Sequence, residues 1–361
     1  MNNARRDAGR SNKLAALFAA ACFSLHAPAA PAAGEDHSQH DMGRDELGRS
    51  LYGMKHAMDP ALMKELREKI PLFTNYTDAQ IGLAMANMGQ EYAWYISPPE
   101  LKGTQGVLIL LHGFGDHGDQ VFRERVQPMG DIFPTSLGVG MAMMMSSQLQ
   151  VAVNDLQAAG AKEIAVVPVV STASNEVYRQ WLYIFGKIDQ AEYASVPRVK
   201  ANATLEFVPP PGDDSRVAEI LLDYAAEMSK DPKNEIVIIT GHGPANTKDN
   251  DAELQILANL AKVVKQDGGF ADVRGITLQD DAPPPIRAGN VTKLRAMVED
   301  ATKHGRRVLI VTNLIGARTL QASLRNDLKG LDYEFNPKGI AQHPNFIRWM
   351  GDAIRHVFEK S

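Results

Sequence analysis

Two histidines stand directly after apolar runs and directly before a glycine: His112 in VLILLHG and His242 in IVIITGHG. A neutral imidazole is a borderline ligand for divalent ions and titrates near neutrality. Such a residue at a strand end therefore suits metal binding or proton transfer. His112 opens HGFGDHG, and the glycines that follow it spell G-x-G-x-x-G, which invites a dinucleotide reading. That reading needs an acidic residue at the end of the next strand to hold a ribose. The residues there are Met143, Met144 and Met145, so no nucleotide cofactor is expected. HGFG also resembles the oxyanion loop of α/β-hydrolases. Such an enzyme needs its serine on a G-x-S-x-G elbow, and no such pentapeptide occurs in the chain; Ser146 and Ser147 lack flanking glycines.

Other side chains capable of chemistry cluster in two places. Met141, Met143, Met144 and Met145 follow LGVG, and thioethers suit soft ions or the face of a flat macrocycle as well as they fill a core. His37, His40, Asp41, Met42, Met54, His56 and Met58 make a polar, metal-capable tract near the N-terminus, which reads equally as a solvated tail. His117, five residues past His112, is either a third group at the same mouth or a solvated loop residue. His304 and His356 fall on helix faces, and His343 precedes the last helix in a capping position.

The elements that position these groups follow from periodicity. Continuous apolar runs at 106–111, 137–145 and 163–170 alternate with amphipathic helices, the pattern of a parallel sheet covered on both faces. VPPPG (208–212) marks a boundary, and the same grammar restarts: strands at 235–240, 272–278 and 307–314, helices at 249–264, 290–303 and 344–358. AAGAKEIAVVP parallels TKHGRRVLIVT, so the second half reads as a duplicate of the first. The expected fold class is α/β, two flavodoxin-like lobes with parallel sheets, at 104–212 and 213–361. An N-terminal helical extension at 61–103 precedes them, with Leu62, Leu66 and Ile70, then Ile81, Met85 and Met88, at helical spacing.

Upstream, 34–60 is expected to be a flexible leader, having few large apolar residues to offset the entropy of ordering. Arg5, Arg6, Arg10 and Lys13, the apolar stretch Leu14–Leu25 and APAAPAA (27–33) form an export signal over 1–33, which implies a periplasmic mature chain. No apolar stretch is long enough to span a bilayer. A net charge of -5, with no basic block, argues against nucleic acid as partner.

From Gly106 to the C-terminus the sequence resembles the class II tetrapyrrole chelatases, the sirohydrochlorin cobaltochelatase and ferrochelatase family. The resemblance rests on VLILLHG, the AAGAKEIAVVPVV junction, the duplicated half and the His-Pro in GIAQHPNF. It implies two lobes around a tetrapyrrole cleft, with cobalt, nickel or iron as the metal inserted. In such an enzyme, a metal-inserting lyase, the histidine at the first strand end binds the incoming ion and accepts pyrrole protons. By position this is His112. The family places a second His, or a Glu, in the loop after the third strand, where this chain has Glu176. A helix N-terminal carboxylate is the plain reading of Glu176. The resemblance thus implies His112 and Glu176 as catalytic residues and His112, Glu176 and His117 as metal ligands. Arg318, in the matching loop of the second half, would meet a substrate carboxylate. Two other readings stay open: a tetrapyrrole or metal carrier that lacks insertion activity, and an exported hydrolase.

Overall fold

Alternate residues of each first strand of the two halves belong to different cores. Val107, Ile109 and Leu111 face one hydrophobic cluster while Leu108 and Leu110 face another; Val237 and Ile239 join the first cluster while Ile236 and Ile238 face a third. This is the period-2 geometry of a strand buried on both sides. The computed structural model describes residues 40–53, 59–316 and 319–360. The expected export signal, His37, Met54, His56, Met58 and Arg318 lie outside them.

In chain order the elements begin with strands β1 (Asp41–Arg44) and β2 (Ser50–Tyr52), then helices α1 (Pro60–Lys69) and α2 (Asp78–Asn87). β3 (Glu91–Tyr95) leads into the first half: β4 (Gln105–Leu111), α3 (Asp116–Gly130), β5 (Thr135–Val139), α4 (Ser147–Ala158), β6 (Glu163–Pro168), α5 (Glu176–Ile184) and β7 (Thr204–Phe207). Helix α6 (Ser215–Ala226) connects to the second half. It runs β8 (Glu235–Gly241), α7 (Thr247–Gly268), β9 (Asp272–Thr277), α8 (Pro284–Lys303), β10 (Arg307–Thr312), α9 (Thr319–Asp327) and β11 (Glu334–Phe335), and α10 (Pro344–Lys360) closes the chain.

The duplication is explicit in the topology. The parallel strands run β5-β4-β6-β7 in one sheet and β9-β8-β10-β11 in the other, the same order relative to each half's first strand. Register aligns Leu111 with Val139 and Gly241 with Thr277, so His112 and His242 occupy matching positions one residue beyond. The chain leaves each first strand for one neighbour and then returns to the other. The first strand's C-terminal end is therefore the point where the connections diverge and ligands bind in open α/β sheets. Both sheets belong to one compact unit. Phe122, Val126, Ile220, Leu221, Phe346 and Trp349, on α3, α6 and α10, share a single cluster with residues of β4, β8 and β10.

Three sequence expectations are corrected. The 34–60 leader contributes β1 and β2, which pair antiparallel with each other and with β3. The polar residues of these two strands are ordered by backbone pairing to a sheet edge. Arg49 adds to this, buried in ion pairs with Asp45 at 2.6 Å and Asp116 at 2.8 Å and lying 4.8 Å from the Tyr92 ring centre. The 61–103 extension is not wholly helical. Its two helices, started by the Asp59 cap and the Thr77–Gln80 capping box, are followed by β3, which pairs antiparallel with β5. Finally, the apolar run 137–145 is a strand only to Val139. Gly140 at φ 121° and Ala142 at φ 53° turn the backbone left-handed and send the methionines into a loop.

Candidate functional site

The loop after β4 is held by a buried carboxylate. Gly113, at φ 102°, makes the turn, and the Phe114 amide donates to Asp119 on the first turns of α3. The Tyr92 hydroxyl donates to the other Asp119 oxygen at 2.7 Å. His112, immediately before this loop, is exposed and packs edge-on against Phe114, with ring centres 6.3 Å apart.

His112 opens on a cavity of about 390 Å³ whose other walls include Tyr52, Glu91, Met88 and the Met141–Met145 loop. Glu91 is not among the residues that the sequence pattern singles out. It lies at the start of β3, opposite the turn after β5, and Gly140 makes room for it: a Cβ on Gly140 would come within 2.5 Å of Glu91 Cγ. Glu91 Oε1 accepts the Ala142 amide at 3.0 Å, while Oε2 is buried with no hydrogen-bond partner. Burial pushes the carboxyl up to about 8, against the opposing pull of the Ala142 amide and Gln148. An alternating run headed by a glutamate, EYAWY, gives no sign that its first residue will face the His112 strand end. That follows only from the pairing of β3 with β5.

Glu176 and His117 do not join His112 as a ligand set. Among the described residues, no group of three or more His, Cys, Asp or Glu is arranged to hold a metal ion. Glu176 begins α5, as its plain reading had it, but its Oε1 accepts the Ala245 amide of the second half at 2.8 Å. It lines an adjoining cavity of about 180 Å³ that shares Met88, Met141 and Met143 with the first. Its carboxyl is raised by burial, opposed by the Ala245 amide. His117 sits exposed on the first turn of α3 and does not line the His112 cavity. Ser146 and Ser147 are buried, and the Ser146 hydroxyl donates to the Pro197 carbonyl, so neither stands above the sheet as a nucleophile.

His242 lines a separate cavity of about 400 Å³ with Asp280, Asp281, Arg287 and Asp327. Its Nδ1 donates to the Gly243 carbonyl at 3.0 Å, and its Nε2 lies 3.5 Å from Asp281. Burial opposes its charge, but Asp281, Asp280 and the Gly243 carbonyl outweigh it and raise the imidazole to about 9. An imidazolium has no lone pair for a metal. The second-half histidine thus keeps the place of His112 but is set among carboxylates.

No protein-family model matches the chain, and no curated protein matches it in sequence. Its likeness is to solved structures. SirB from Bacillus subtilis, solved with Fe3+, is 15% identical with a TM-score of 0.53, over 70% of this chain and 95% of that one. DR2241 from Deinococcus radiodurans, a multi-domain protein with structural similarity to chelatases, is 16% identical at 0.45, over 70% and 54%. CbiX, the terminal enzyme of siroheme biosynthesis in denitrifying bacteria, is 16% identical at 0.44, over 70% and 98%. The SirB likeness establishes a class II chelatase-like fold.

Proposed function

We propose that this protein inserts a divalent metal ion into a tetrapyrrole, with His112 presenting the ion. The observation that carries the reading is that one imidazole and one carboxyl, His112 and Glu91, share a cavity at the strand-order switch point of a chelatase-type half. Insertion exchanges one divalent ion for two pyrrole protons. A neutral His112 binds the ion by a lone pair and leaves most coordination positions open, so the ion is free to pass to the macrocycle. Glu91, a proton acceptor once it ionises toward about pH 8, accepts one proton. His112 accepts the second once the metal has left it. The methionine wall offers polarisable contact to a flat ring. Glu176, on the adjoining cavity, is placed to orient the far side of a ligand spanning both.

A carrier without insertion activity is the second reading. It is favoured by the absence, among the described residues, of a three-ligand carboxylate–histidine cluster. Titrating the purified protein with sirohydrochlorin and with a metal-free porphyrin, each with and without Co²⁺, Ni²⁺ or Fe²⁺, separates the two. An insertion enzyme shifts the macrocycle's absorption to that of the metal complex with multiple turnovers. A carrier perturbs the spectrum once, stoichiometrically, and defeats the insertion reading.

The reading includes export to the periplasm, on the strength of the basic, apolar and small-residue succession in 1–33. Protein recovered from a bacterial host is expected to begin between Ala30 and Gly34 by N-terminal sequencing. Soluble cytoplasmic protein retaining Met1 would contradict it.

A further inference from the structure

We propose that the His112 cavity is a binding site for a soft monovalent cation, cuprous ion, held by methionine thioethers together with the His112 imidazole. Six of the fifteen methionines in the chain line this one cavity: Met85, Met88, Met141, Met143, Met144 and Met145. The inference does not depend on metal insertion.

Three features select the ion. The first is donor chemistry: thioethers are soft donors that favour Cu(I), and an imidazole completes a common ligand set for it. A divalent ion in transit finds a single imidazole here, whereas six thioethers beside it give a soft ion a ligand set of its own. The second is charge. Moving an ion from water into an apolar enclosure costs more the higher its charge, so a methionine-walled cavity favours a monovalent ion.

The third is preorganisation. The loop carrying Met141, Met143, Met144 and Met145 is fastened at its left-handed residue from two sides. The Ala142 amide donates to Glu91 at 3.0 Å, and the Ala142 carbonyl accepts from buried Gln180 at 3.1 Å. Buried Gln180 and half-buried Glu91 thus hold a strained alanine between methionines, and Met143 and Met145 are buried while Met141 and Met144 are half-buried. A run serving only as core filler has no need of this fixing, because leucine packs a core equally well.

The test uses the full-length protein, anaerobic and reduced, with Cu(I) as probe and bicinchoninate as coloured competitor. The parent is expected to retain one Cu(I) per chain against the competitor. Replacing the four loop residues together (Met141→Leu, Met143→Leu, Met144→Leu, Met145→Leu) conserves volume. It is expected to weaken Cu(I) binding by more than the roughly 10- to 100-fold that loss of an outer-shell partner costs a metal site. Replacing Met42, Met54 and Met58 by leucine should leave the affinity unchanged. X-ray absorption at the copper edge of the parent should show sulfur neighbours with one nitrogen, and this readout stands even if the fourfold variant fails to fold. A parent that surrenders its copper to the competitor, a spectrum with nitrogen and oxygen neighbours alone, or binding that follows the N-terminal methionines would each overturn the proposal. Tetrapyrrole metallation is measured separately, so failure of insertion leaves this result readable.

Discussion

His112→Ala is expected to reduce metallation of the tetrapyrrole by at least about 100-fold, the lower range of what a positioned acid–base group contributes. The same change should abolish Co²⁺ binding at the cavity. The side chain is exposed at a strand end, and Gly113 and Asp119 fix the loop beyond it. The far-ultraviolet spectrum and the unfolding midpoint should therefore stay at parental values. A variant that metallates at the parental rate would move the reaction away from β4 altogether. His242→Ala supplies the contrast. His242 lines a separate cavity and its proton, held up to about 9, competes with any metal, so its removal should leave Co²⁺ binding intact.

Glu91→Gln is expected to change how stability depends on pH. The folded carboxyl titrates near 8 and the unfolded one near 4.5, so between these values the native state holds more protons than the unfolded state. Stability contributed by the buried neutral acid is complete below about pH 4.5. It is lost as pH rises toward 8, and little changes above that. Glutamine keeps an oxygen for the Ala142 amide and never ionises, so the variant should lack this decline. Chemical denaturation at pH 5, 6, 7 and 8 should show the parent losing ground to the variant by a few kcal/mol in total, on the order of 1.4 per pH unit. Parallel curves for the two proteins would mean that Glu91 is solvated. The ionisation that weakens the fold also creates the proton acceptor. Metallation by the parent should accordingly rise through the same pH interval, and that by Glu91→Gln should not.

Much of the architecture was legible in the residues. Apolar runs ending in His-Gly marked both first strands, and the Pro-rich VPPPG lay just before the second half. The repeated helix–strand junctions disclosed a duplication that the strand order confirms. What escaped the sequence was long-range. Nothing in DMGR or SLY identifies them as strands, because an antiparallel ribbon draws its order from the edge it joins. The methionine run read as strand because apolar periodicity cannot register two left-handed residues. Glu176 was correctly placed after the third strand, yet its partner, the Ala245 amide, lies 69 positions away. Glu91 was missed for the same reason: its meeting with the loop after β5 depends on a strand pairing.

β3 lies between β2 and β5, so the His112 mouth rests on the antiparallel ribbon as well as on the repeated scaffold. The β3 backbone is zipped to β5 from Tyr92 to Tyr95, while Glu91 lies outside that register and pairs with Tyr52 of β2. Gln90 lines the cavity, is exposed and lies outside both registers, so it is the interchangeable part of this flank. Exchanging it would alter charge and width at the mouth while leaving the imidazole where it is.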